Sequence, residues 1–491
     1  MPPTLPRLSN QTLADLSSAI VRPRYDRGQL QSGIVHLGIG AFHRAHQAAM
    51  TDTVIAAGDR RWGIVGASLR SSDTHDALRP QDWLYAAAVC DGDGERIQVI
   101  GALTGVLVSP EQPSALIAAM SDPRVKIVSL TVTEKGYRFD PATGDLALTH
   151  PDVQHDIAHP NKPRTAVGFL AAALRQRRRD GAPPFTILSC DNLHANGRTL
   201  KRLLGQFTEQ QEPGLARFIA DNVACPSTMV DRIVPATTDD DRARVSAALG
   251  VADAWPVIME PFCQWVIEDN FPLGRPDWAI AGAELVHDVM PYEAMKLRLL
   301  NASHSAIAYL GAFAGYETVA DAMADPAITR FVSKMMDDEI TPTLKLPAGA
   351  DVPSYKRALL ARFTNPALRH RTQQIAMDGS QKLPPRILGT VRDRIAAGAA
   401  YPRLAMVVAA WMRYVVGHDA NGQSYDIRDP LLPTLAECVA QSNGDPTRLA
   451  VKLLGISAIF GADLAANPDF RDLIVKQLAH LSKSGIGSAI A

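Results

Sequence analysis

The chain has 491 residues, of which 46% are hydrophobic and 21% charged; this size exceeds one ordinary core and the composition is unlike disordered or fibrous chains, so two domains are expected, or at most three. Its 50 basic residues balance 51 acidic ones, which leaves no general electrostatic case for nucleic acid or an anionic membrane as partner. Five scattered cysteines without a Cys-x-x-Cys pair, no apolar core within Met1 to Asn10, and no apolar run near the ~20 residues that cross a bilayer point to a reduced, cytoplasmic protein.

Up to about Gly33 the chain reads as an irregular lead-in, punctuated by prolines around a short helical pattern near Leu13 to Ile20. A strand, Ile34 to Leu37, then runs into Gly38-Ile39-Gly40-Ala41-Phe42-His43-Arg44-Ala45-His46-Gln47, and helical spacing follows. Strand, glycine turn and helix together suit a dinucleotide: glycine permits the turn and lets a pyrophosphate approach the free N–H groups at the helix start. His43 stands where the full fingerprint has its third glycine, so a turn made only for packing competes with this reading.

A second strand, Trp62 to Ser68, leads into Leu69-Arg70-Ser71-Ser72-Asp73. There Asp73 is a candidate for the adenosine ribose hydroxyls of NAD. Arg70 and Ser72 would tolerate NADP, and Asp73 is also a plausible surface cap. Val125 to Glu134 and Phe185 to Leu193 are two further apolar strands that end in polar residues, and the carboxyl ends of parallel strands form the ligand crevice of such sheets. Asn192 stands there, where a plain turn residue is also common. Helical patterns at Ser114 to Met120 and Ala166 to Arg175 separate the strands, which gives an α/β first domain. The basic run Arg175 to Arg179 reads as a solvated helix end that complements the dipole.

Asp231 and Arg232 sit in an apolar run, where a structural ion pair competes with a site role. Pro256 to Val289 looks strand-like with turns, and helical patterns dominate after Pro291. We therefore expect a dinucleotide-binding domain over residues 1–290 and a mostly helical substrate and catalytic domain over 291–491. Asp378 to Arg386 reads as a turn from which Lys382 projects, by default as a solvated side chain.

The segment Tyr292 to Ser305 places Lys296, Asn301 and His304 inside an apolar helical pattern, and three costly polar groups need a common reason. A partly desolvated lysine has its pKa lowered towards that of a general base, an amide stabilises a developing alkoxide, and an imidazole binds a further hydroxyl. In a regular helix Lys296 and His304 lie about 80° apart around the axis and ~12 Å apart along it, which favours a long, hydroxyl-rich ligand. A snorkelling lysine with a packed asparagine and histidine is the structural alternative. No metal is expected, since His43 and His46 lack further ligands at suitable spacing. A hydrolase elbow of the Gly-x-Ser-x-Gly type is absent too.

Taken together, Gly38 to Gln47, Ser129 to Tyr137, Ser189 to Leu193, Met229 to Ile233 and Lys296 to His304 resemble the mannitol dehydrogenase family, the polyol-specific long-chain dehydrogenases and reductases, in order and over nearly the whole chain. The resemblance implies a Rossmann-type N-terminal domain, a mostly α-helical C-terminal domain, an active site between them, and hydride transfer without metal. It implies Lys296 as general base, Asn192 and Asn301 on the oxyanion, and Asp231, His304 and Lys382 as residues that bind substrate or orient its partners. Gly38, Ile39, Gly40, Phe42, Arg70, Asp73 and Thr133 would hold the cofactor, and Glu134 would line a proton or water route beside the nicotinamide.

Gln374 stands where mannitol 2-dehydrogenases tend to place an arginine, and the run Arg371 to Lys382 is more similar to the fructuronate reductase branch. The expectation is thus an NAD-dependent reductase, NADP not excluded, for a sugar alcohol, keto sugar or sugar acid: fructuronate and mannonate first, fructose and mannitol next. A silent NAD-binding sensor with the same fold is the competing class.

Overall fold

The structure, a computed structural model, describes residues 5–91, 94–140, 143–346 and 349–490. Its internal contacts divide the chain into two compact units, Met1–Met290 and Pro291–Ala491.

The first unit carries the strands β1 (Ser32–Leu37), β2 (Gly63–Ser68), β3 (Tyr85–Asp91), β4 (Gly94–Ile100), β5 (Leu103–Val108), β6 (Ile127–Leu130), β7 (Thr186–Ser189), β8 (Thr228–Asp231), β9 (Val257–Met259), β10 (Gln264–Glu268) and β11 (Glu284–Val286). Five of them form a wholly parallel sheet in the order β5-β2-β1-β6-β7. The chain starts in the middle of this sheet, winds out through β2 to β5, and returns to the other side of β1 with β6. The order therefore reverses between β1 and β6, which is where a doubly wound sheet opens its ligand crevice.

The apolar runs Ile34, Val35 and Leu37, then Ile127, Val128 and Leu130, are buried on both faces of this sheet, as helices on either side require. The helix Gln47–Ala56 helps to cover one face through Ala48, Val54 and Ile55, while Ala166–Arg179 covers the other through Phe169, Leu170 and Leu174. Two three-stranded sheets, β4-β3-β9 and β11-β10-β8, complete the unit.

The structure trims several expected elements. Between residues 11 and 20 only Leu16 is buried, and a single 3₁₀ turn, Leu13–Asp15, replaces the helix; one apolar anchor cannot hold a longer amphipathic helix. The run from Val125 to Glu134 yields strand only over β6, because the chain leaves the sheet at Thr131 and turns at Thr133. The β3–β4 hairpin has no counterpart among the expected elements.

The second unit is helical. Ala302–Ala314, Pro402–Tyr414 and Pro468–Ala489 share a core in which Ile307, Leu310, Val408, Trp411, Leu478 and Leu481 are buried. The segment expected as a turn around Lys382 is instead the short helix Gly379–Leu383 running into a π turn, Pro384–Leu388. The paired prolines Pro384 and Pro385 open the π turn inside a continuous helix, where their missing N–H groups interrupt the α-helical hydrogen-bond ladder.

Candidate functional site

Gly38 leaves β1 with φ +96°, and a Cβ placed on it would lie 2.1 Å from the Thr131 carbonyl oxygen. Both facts demand glycine, and both are internal to the fold. Gly40 is different: its φ is −81°, and the nearest atom to a Cβ placed there is the Gly38 carbonyl oxygen at 3.9 Å. No packing excludes a side chain at Gly40, so its reason lies in the space beyond it.

That space is a cleft of about 750 Å³ over the carboxyl ends of β1, β2, β5 and β6. Gly38, Ile39, Gly40, Arg70 and Thr133 all line it. Phe42, Asp73 and Glu134 are not among its lining residues. Phe42 stacks on His46, 5.0 Å between ring centroids. The exposed Asp73 begins the helix Asp73–Leu78 and accepts the Ser71 hydroxyl at 2.9 Å, while Arg70 and Ser71, just beyond β2, line the cleft. The wall also carries Arg138, Lys162 and Arg164, offset by Asp152, which pairs with Arg138 at 2.9 Å. A positive rim above a glycine turn fits a dinucleotide pyrophosphate.

The turn is braced from below by a residue with no motif to mark it in the sequence. His36, fully buried in β1, reaches the Gly38 carbonyl at 3.1 Å and Thr131 Oγ1 at 2.8 Å through Nε2, and Ser129 Oγ at 2.8 Å through Nδ1. A carbonyl only accepts, so Nε2 carries the proton. Burial pushes the His36 pKa down to about 3, which keeps the ring neutral. His43 stacks on it at 3.4 Å. The imidazole at the third-glycine position is therefore part of the core, and burial, then the neighbouring His36, holds its pKa well below the usual range.

Asn192 follows β7 and is exposed, whereas Asp231 ends β8 and is buried. Asn196, fully buried, links the two strand ends: its amide nitrogen donates to the carbonyls of Asp191 and Thr228, both at 3.0 Å, and its oxygen accepts the Thr228 N–H at 2.9 Å. Sequence offers only a second asparagine shortly after Asn192 as a signal for this brace.

In the helical unit, Lys296–Asn301 is a π turn that leads directly into the helix Ala302–Ala314. Five residues apart on an α-helix, Lys296 and Asn301 would point about 140° from each other. The wider π winding pairs residues i and i+5 and brings them towards a common face, an arrangement frequent at functional sites. Lys296 is 7% exposed and His304 8%. The His304 ring lies 4.8 Å from that of Phe363 and 5.5 Å from that of His370. Burial, followed by the charges of His370, Arg362, Arg386 and Lys296, holds its pKa well below the ordinary value. Arg386 donates to the Asn301 carbonyl at 3.4 Å and to Ser305 Oγ at 3.2 Å. Lys382 is half-buried with Nζ on the Ile375 carbonyl at 3.0 Å, and it lowers the His370 pKa after burial does. Gln374 is exposed on the helix Thr372–Ala376. Among the described residues no group of three or more His, Cys, Asp or Glu side chains is placed to share a metal ion.

Two domain families match: the mannitol dehydrogenase Rossmann domain over residues 32–280 and the mannitol dehydrogenase C-terminal domain over residues 288–482. D-mannonate oxidoreductase of Escherichia coli is 44% identical over 485 residues, 98% of this chain and 99% of the relative. Mannitol 2-dehydrogenase of Phaeosphaeria nodorum is 39% identical, covering 100% of this chain and 86% of its own. The structure of Pseudomonas fluorescens mannitol 2-dehydrogenase with NAD and D-mannitol superposes with a TM-score of 0.89 at 38% identity, over 99% of this chain and 98% of that one. With its parallel sheet reversing at the glycine turn, its helical second unit and these matches over nearly its whole length, the chain belongs to the mannitol dehydrogenase family of oxidoreductases.

Proposed function

We propose that the protein is an NAD-dependent secondary-alcohol dehydrogenase that interconverts fructuronate and mannonate without a metal. The observation that carries the chemistry is the π turn Lys296–Asn301, which brings a buried lysine and an amide towards one face of one element. Desolvation disfavours an ammonium, and the neutral amine is the form that takes a proton from an alcohol. NAD, when bound, supplies the hydride acceptor, and its site is the cleft over the glycine turn. Asn301 and Asn192 act as amide donors to the developing alkoxide. His304, kept neutral by its surroundings, binds a substrate hydroxyl; Asp231, Lys382 and Gln374 bind or orient the substrate, and Glu134 relays the proton. The sheet unit thus holds the nucleotide and the helical unit supplies the base.

A sugar acid is favoured over a neutral polyol by the cations around His304, namely Arg362 and Arg386, with Lys382 next to His370. The 44% identity to a D-mannonate oxidoreductase agrees with this choice. Fructose and mannitol form the second reading, favoured by the likeness to an enzyme whose structure holds D-mannitol. Initial rates with fructuronate, fructose, tagaturonate and xylulose, each with NADH and NADPH, separate the two. A charge-assisted contact to the carboxylate should raise kcat/KM for fructuronate over fructose by roughly 30-fold or more, and parity or the reverse order would overturn the sugar-acid reading. No oxidation of NADH with any of these substrates would favour a silent sensor.

A further inference from the structure

Asp191 stands two residues beyond the last residue of β7 and is buried at 8% exposure. It is absent from the lining of the cleft, yet it grips a segment that does line it. Its Oδ2 accepts the Val132 N–H at 3.0 Å and its Oδ1 the Thr133 N–H at 2.9 Å. Tyr137, fully buried, donates its hydroxyl to the same Oδ2 at 2.7 Å and lies 2.6 Å from Ser189 Oγ. The Asn196 amide fixes the Asp191 carbonyl from the other side. Every part of this carboxylate that could swing is tied to a neighbour.

What it grips is strained. Thr133 has φ 63° and ψ 164°, a region that side chains avoid and that is reached almost only by glycine. Such a conformation persists where its surroundings over-determine it, and two backbone N–H bonds to an anionic acceptor outweigh the strain of one residue. Thr133 is itself exposed, so no core packing imposes this conformation. The strained peptide places Val132 and Thr133 on the cleft wall, with Thr131 Oγ1 bonded to the Gly38 carbonyl at 2.8 Å.

We propose that Asp191 is a positioning residue for the dinucleotide, a latch whose carboxylate holds the Val132–Thr133 peptide in its strained conformation so that the cleft keeps a nucleotide-ready shape beside the glycine turn. The inference rests on the reading of this cleft as the NAD site. It makes Tyr137 the buried donor that keeps the carboxylate aimed at the two N–H groups. Burial pushes the Asp191 pKa up, and the bonds from Tyr137, Val132 and Thr133 oppose that rise, so latch and loop stabilise each other.

The test is NADH binding to the full chain, followed by nucleotide fluorescence, for wild type, Asp191→Asn and the double variant Asp191→Asn with Thr133→Gly. The amide keeps the size of the carboxylate but cannot accept both N–H bonds, so Asp191→Asn should raise the NADH Kd by about 10-fold or more. Glycine adopts this backbone conformation without strain, so the double variant should recover to within about 3-fold of wild type. Asp191→Asn with the wild-type Kd, or a double variant as weak as Asp191→Asn alone, overturns the latch. If Asp191→Asn does not fold, Tyr137→Phe takes its place: a Kd raised by about 3-fold supports the latch and an unchanged Kd overturns it. Wild-type protein that fails to bind NADH refutes the reading of the cleft instead.

Discussion

The two glycines of the β1 turn invite opposite substitutional outcomes. In Gly38→Ala the new methyl would meet the Thr131 carbonyl oxygen at 2.1 Å and would have to adopt φ +96°. The backbone strain alone costs roughly 1–3 kcal/mol. Relief of the clash requires Thr131 to move, which threatens its 2.8 Å bond to the Gly38 carbonyl and the 2.9 Å bond from its N–H to Leu37, each worth about 1 kcal/mol. A total near 3–5 kcal/mol should lower the melting temperature of the sheet unit by on the order of 10 °C. In Gly40→Ala the methyl finds only the Gly38 oxygen at 3.9 Å, so stability should change by no more than about 1 kcal/mol. With NAD bound as proposed, the methyl would stand where the pyrophosphate approaches, and the NADH Kd should rise by roughly 30-fold or more, about 2 kcal/mol. Circular dichroism melts and NADH fluorescence titrations of the two variants decide the matter. Gly40→Ala that melts as early as Gly38→Ala, or that binds NADH like wild type, would refute the division of labour between them.

Further outcomes follow from the buried bases. Lys296→Ala should lower turnover by about 10³-fold or more near neutral pH while the NADH Kd stays within about 3-fold, and full activity would sink Lys296 as the base. His36 titrates at about 3 in the folded chain, against the ordinary histidine value of 6.5 once unfolding exposes the ring. The unfolded state therefore binds the extra proton, and the stability that this ring contributes is complete above pH 6.5 and is lost as pH falls towards 3. Between about pH 7.5 and about pH 5.5 that loss is about 1.4 kcal/mol. Urea unfolding of wild type and His36→Gln at the two pH values should show a drop smaller by this amount in the variant, and equal drops would refute a buried neutral imidazole. In the substrate-binding region, Arg386→Gln should reduce kcat/KM for fructuronate by about 10-fold more than for fructose, and an equal loss on both would remove Arg386 from carboxylate recognition.

Much of this protein is legible in its sequence, because its strongest signals are local. Gly38 and Gly40 after an apolar strand announce the nucleotide turn, and near-continuous apolar runs such as Ile127 to Leu130 announce strands buried on both faces. A lysine, an asparagine and a histidine in an apolar helix mark Lys296–His304 as costly to bury and so as a candidate site. Other features depend on partners distant in the chain. His43 reads as a flaw in the fingerprint until His36, from the preceding strand, stacks on it. Asp191 carries no signal beside Asn192, since a carboxylate after a strand acquires meaning only from Val132, Thr133 and Tyr137, which the sheet carries to it from more than fifty residues away. Even the π turn is invisible to helical periodicity, which sees apolar spacing but not where one extra residue is wound in. Sequence by itself determined the residue types and the local turns, because those obey near-neighbour sterics and burial. Only the tertiary structure decided which polar groups are braces and which line the cleft, because hydrogen-bond satisfaction inside a core is settled by whatever the fold brings within about 3 Å.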